Sequence, residues 1–144
     1  DAAFVMGVTP WVRNRPFPST ITKMKSAEFV ESFETAFPGT HATSQAASAF
    51  CAAAVLVHAI ETAGTLEPDE VAEQLRRMDE RCLLGSMRFD NNGQNKNAYK
   101  TVQIQPHQPN DTIVVVAPPK AAYYKLMYPR PSRTDLFCLL SNKW

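Results

Sequence analysis

The stretch from about Thr43 or Ser44 to about Thr62 constrains this chain most. It carries Ala46, Ala47, Ala49, Ala52, Ala53 and Ala54 among larger apolar residues, with His58 the one ionisable group before Glu61. A helix apolar almost all round is ordinarily a buried one, and its small side chains let neighbouring backbones approach closely. Gly64 is placed to end it. The longest apolar run inside it, Ala46 to Val57, is too short to cross a bilayer.

On either side of it the pattern changes. AAFVMGV, Ala2 to Val8, reads as a buried strand of the kind found in parallel sheets, and Thr9-Pro10-Trp11 ends it. Residues 12–25, with Pro16, Pro18 and several basic side chains, read as a loop. Ser26 can cap a helix that starts near Ala27; Phe29, Val30, Phe33 and Phe37 give it an apolar stripe, Glu28, Glu31 and Glu34 face outward, and Pro38-Gly39 stops it. Pro68 opens a third helix to about Met78, with Val71, Leu75 and Met78 as its stripe and Asp69-Glu70 and Arg76-Arg77 placed to suit the helix dipole. Beyond it the period becomes two. Leu84–Phe89 is strand-like, Asp90-Asn91-Asn92-Gly93 is a turn signal suited to a hairpin, Tyr99–Gln105 alternates, and TIVVVA, Thr112 to Ala117, is the strongest strand. Three helices feeding a small sheet make an α/β layout.

Composition excludes some functions. The chain has 144 residues, enough for one compact domain, with 44% apolar residues, 20% charged residues and a net charge of +1. Nucleic-acid binding needs clustered excess Lys/Arg, and Arg76-Arg77 is flanked by Glu73 and by Asp79-Glu80. The 11 prolines lie mostly outside the helical middle, so long, semi-rigid loops are expected at both ends. Cys51, in the alanine-rich run, reads as a buried free thiol; Cys82 and Cys138 can pair, although their spacing does not demand it. No Cys/His set has zinc spacing, so no metal or cofactor is expected. His58 reads as a core histidine, and His41 and His107 as loop residues without the context that catalysis needs. Asp90–Gln94 lacks the alternating acidic ligands of a calcium loop and reads as a turn. No phosphate loop, nucleophile elbow or carboxylate pair in an apolar setting is present, and an enzyme is not expected.

Several stretches, taken in order, resemble a known family. They are Gly7-Val-Thr-Pro-Trp11, the aromatic-striped SAEFVESFETAF, FCAAAVLVHAI at 50–60, the Ala63-Gly64 pair with the short helix after it, and Gly85-x-x-x-Phe89-Asp90-x-x-Gly93, followed by Val115-Val-Ala-Pro-Pro119 and Tyr128-Pro-x-Pro131. Together they resemble the Leu/Ile/Val-binding family of type I periplasmic binding proteins and related receptor ligand-binding domains. Phe50-Cys51 departs from the family's usual Tyr-Asp pair, and Asp135 to Trp144 matches nothing in it.

The resemblance implies a two-lobed, three-layer α/β/α fold of which this chain is the carboxy-terminal portion. Residues 1–131 would span the hinge, with 132–144 an unassigned tail, and the missing half of the domain becomes a partner. It implies a periplasmic or extracellular solute-binding domain, for sensing or transport. Such a domain closes on a small polar ligand, an amino acid or amide, and presents the closed form to a membrane permease or a receptor signalling domain. Trp11, after a strand end, is a candidate cleft wall. Thr43, Ser44 and Gln45 open the alanine-rich helix, where free N–H groups beside hydroxyls suit a carboxylate, although N-capping explains the same residue types. Two alternatives remain: a degenerate interaction or receptor domain that no longer binds ligand, and a fragment of an unrelated α/β enzyme.

Overall fold

A computed structural model describes residues 3–96, 99–105, 113–129 and 132. The chain forms two compact units, one of residues 1–9 with 100–144 and the other of residues 10–99. The secondary structure is mixed α/β, as the period change in the sequence requires.

The first unit holds β1 (Met6–Thr9), β4 (Lys100–Ile104) and β5 (Ile113–Ala117) in the order β1-β4-β5. Both pairings are antiparallel. This corrects the reading of the first strand. It starts at Met6 rather than Ala2 and pairs antiparallel, and Val5, Met6 and Val8 are largely exposed. An apolar run indicates extended backbone but does not specify whether both faces are covered. On β4 the alternation is used differently: Gln103 and Gln105 are buried. The Gln103 amide donates to Met127 O and accepts from Met127 N, while Gln105 Nε2 donates to Lys125 O and to Gln103 Oε1. Two buried amides thus satisfy one another and latch residues 125–127 onto the strand, as buried polar groups require.

The second unit contains α1 (Ser26–Ala36), α2 (Ser44–Ala63), α3 (Pro68–Arg77) and the hairpin β2 (Glu80–Cys82) with β3 (Gly85–Met87). Ser26 is not the cap of α1. The cap position is Lys25, whose N–H is taken by the Glu28 carboxylate, while Ser26 is fully buried. Thr43 Oγ1 caps α2 by accepting from Ala46 N. Gly64 ends α2 at φ 70, with its N–H on Ile60 O, in the left-handed region that glycine occupies without strain. Pro68 opens α3, as expected.

The core of this unit gathers Trp11, Phe29, Ala42, Ala47, Cys51, Val55, Ala59, Val71, Met78, Cys82, Leu83 and Met87. On α2 the buried residues Ala47, Cys51, Val55 and Ala59 recur every fourth position, so burial covers one stripe and not the whole circumference. Leu56 and Val57 on its other side are about half exposed. The helix runs over the span the sequence reading gave it, and by length and composition alone its 20 residues could cross a membrane. Its packed stripe, however, is part of a folded α/β core.

Two further expectations change. β2 has no counterpart in the sequence reading, because three residues of which two are charged leave no period to detect. The Asp90–Gly93 turn does not join a hairpin to β4. Gly93 N bonds Asp90 O, and Asp90 Oδ1 accepts from Asn92 N and Gln94 N. The turn closes a single Phe89–Asn95 bridge. β3 pairs instead with β2, across Leu83-Leu84.

Candidate functional site

The predicted site residues fall at two places on the second unit. Thr43, Ser44 and Gln45 lie together where the chain enters α2. Thr43 Oγ1 is engaged as the cap, and Ser44 Oγ donates to Gln45 Oε1 at 3.1 Å. Thr43 and Gln45 are exposed. Their hydroxyl and amide groups stand beside the opening N–H groups of α2, an arrangement able to receive an anionic group.

Trp11 lies elsewhere. It is 5% exposed, its indole Nε1 donates to Ser26 Oγ at 3.1 Å, and its ring meets Phe29 edge-on at 6.0 Å. The ring is a core group, not an open wall. The physical reason is that Ser26, at the first turn of α1, offers a buried acceptor for the indole N–H.

Around the entry to α2 the structure assembles a polar cluster. Glu34 Oε1 accepts from Arg13 Nη1 at 2.9 Å and from Ala42 N at 3.1 Å, with His41 Nδ1 at 3.4 Å. The Arg13 hydrogen bond first, then the Ala42 N–H, holds the Glu34 carboxyl down at about 2 against an ordinary 4.5. Sequence reasoning placed Glu34 on the wet face with Glu28 and Glu31. Nothing local in the sequence marks it, since its partners lie 21 residues before and 8 residues after it.

The cysteines and histidines also differ from expectation. Cys51 is not a free thiol: it is bonded to Cys82, with Cα atoms 5.9 Å apart, so Cys82 does not pair with Cys138, which lies outside the described residues. The bond ties α2 to β2. His58 is not a core histidine. It is about one-third exposed, and Nε2 lies 4.0 Å from Glu80 Oε1. Glu80 in turn accepts from Thr20 Oγ1 at 2.5 Å. His58 borders a hollow of about 150 Å³ shared with Gln74, Arg77 and Glu80, and a second of about 320 Å³ lined by Ile21, Phe50, Ala54 and Val57. Neither hollow includes a predicted site residue. His107 lies outside the described residues.

Comparison with known proteins resolves the fold. In the solved leucine-binding protein LivK from Thermotoga maritima, a match covers 81% of this chain and 31% of that one, with a TM-score of 0.56 at 19% identity. At that identity the likeness establishes the type I periplasmic-binding-protein fold, and the chain corresponds to less than a third of the other protein's length. No curated protein matches the sequence. The family pattern described as periplasmic binding protein matches residues 2–110. Because it covers well over half the chain, that match shows that this chain belongs to the periplasmic binding protein family.

Proposed function

We propose that the chain is the carboxy-terminal, hinge-spanning part of a two-lobed solute-binding domain that closes on a small amino acid or amide. The observation that carries this reading is the path between the two units. The chain passes from one to the other at Thr9–Pro10 and returns at Tyr99–Lys100, and Thr9 and Lys100 are themselves register partners on β1 and β4. Two crossings made side by side on neighbouring strands concentrate bending at one place, as hinge closure requires. The half-exposed apolar side of α2 supports the same reading, because a soluble domain rarely leaves such a face open. The remainder of the two-lobed fold is its natural cover.

The proposed ligand contacts are Thr43, Ser44 and Gln45, with the ligand carboxylate at the start of α2. Trp11 supports the fold from the core, by fixing its own segment to Ser26 and Phe29 of α1. LivK's name supplies leucine as the first solute to try. The Cys51–Cys82 bond supports a periplasmic or extracellular setting, where disulfides persist. It also accounts for the Phe50-Cys51 departure from the family pattern: Cys51 serves as a tether, which removes the main argument for a degenerate, non-binding domain. A membrane permease or signalling domain is the partner that would read the closed form.

The test is a thermal-shift screen of the full-length protein carrying this chain against amino acids and small amides. Binding at about 100 times the dissociation constant adds about 2.7 kcal/mol to stability and raises the melting temperature with ligand concentration. A flat response from folded protein would return the reading to a scaffold without ligand.

A further inference from the structure

Resting on that solute-binding reading, we propose that Glu34 is the positioning residue of the ligand-contacting entry to α2. It locks the loop before Thr43 to the segment that leaves β1. A surface ion pair by itself contributes little, because solvent screens it and side-chain entropy opposes it. Glu34 differs in what its oxygen holds. Oε1 receives Arg13 Nη1, the His41 ring and the backbone N–H of Ala42 together. The Ala42 side chain is buried in the core. The residue just before Thr43 is therefore held from two sides, its methyl group by packing and its amide by a carboxylate. Thr43, one peptide further on, is thereby tied through Ala42 to α1.

The other end of α1 is tied as well. Trp11 bonds Ser26 at the helix start, and Arg13, two residues further along the same segment, reaches Glu34. The two tie points lie eight residues apart on α1, about 12 Å along its axis. α1 thus acts as a splint between Trp11 and Arg13 on one side and the entry of α2 on the other, and Glu34 is its joint. The charge arrangement is also consistent. A bare carboxylate near an anion-binding helix start would repel a ligand carboxylate, and the Arg13 guanidinium neutralises it.

Two substitutions separate positioning from folding. Glu34→Gln keeps an acceptor for the Ala42 N–H, whereas Glu34→Ala removes it. The experiment measures affinity for L-leucine and the other members of the amino-acid panel, with amide exchange at Ala42, on the full-length protein. Glu34→Ala should weaken binding by about tenfold and speed Ala42 exchange by a similar factor, and Glu34→Gln should restore most of both. Continued protection of the buried α2 amides, Ala47 to Ala59, controls for unfolding. Wild-type affinity in Glu34→Ala, or unchanged exchange at Ala42, overturns the role of Glu34 while leaving the solute-binding reading intact. Silence of the wild-type protein toward the whole panel overturns both.

Discussion

Removing the Cys51–Cys82 bond by the paired substitution Cys51→Ala, Cys82→Ala should cost a large share of the stability of this chain. The two residues are 31 positions apart. For a closed loop of that size, the chain-entropy relation gives about 12 cal/mol/K, or about 3.7 kcal/mol at 25 °C. Both sites are fully buried, so the lost sulfur atoms leave unfilled space that adds to the loss. For a chain of this length the melting temperature should fall by on the order of 10 °C. Urea or thermal melting of the oxidised protein and the double variant measures the difference. A tryptic map checks the pairing independently, because peptide 26–76 should remain joined to peptide 82–88 until a reductant is added. A double variant melting within about 2 °C of the parent would refute the loop-closure argument, and a Cys82 peptide joined to Cys138 would refute the pairing itself.

Trp11→Phe keeps an aromatic ring against Phe29 but strands the buried Ser26 hydroxyl; it should cost about 1–2 kcal/mol in urea unfolding, and adding Ser26→Ala should recover part of that loss. An additive double variant would show that the indole–hydroxyl bond is not the source. The Glu34 carboxyl sits at about 2 when folded against 4.5 ordinarily, so its stabilisation is fully present above 4.5 and is lost as pH falls toward 2. Carboxyl-carbon NMR should show this low midpoint, and Arg13→Ala should move it upward; an ordinary midpoint in the parent protein would show that the three donors do not converge in solution.

The helices were legible because their signals are local. The Thr43 cap, the Gly64 stop and the Pro68 start act within a few residues of themselves, and each lies where its side chain or backbone freedom required. Ser26 shows the limit of that logic. Its residue type suits a cap, but its hydroxyl is used by Trp11, 15 positions away, and Lys25 takes the cap position instead. Site residues divide in the same way. Thr43, Ser44 and Gln45 could be proposed from their place at a helix start. Glu34 could not, because its role arises from Arg13 and Ala42 approaching one oxygen from two different loops.

The sequence by itself determined the α/β class, the three helices, the turn at Asp90–Gly93 and the ordered motifs that carry the family resemblance. Propensity, capping and period are properties of short windows, and they persist whatever the chain packs against. Tertiary structure alone decided the antiparallel pairing of β1, the separation of β3 from β4, the single buried stripe of α2, the Cys51–Cys82 bond and the burial of Trp11. Each of these depends on which surfaces meet across tens of residues. A sequence lists the groups that could meet, and the choice among them is made by burial and by the need to satisfy every polar group that is buried.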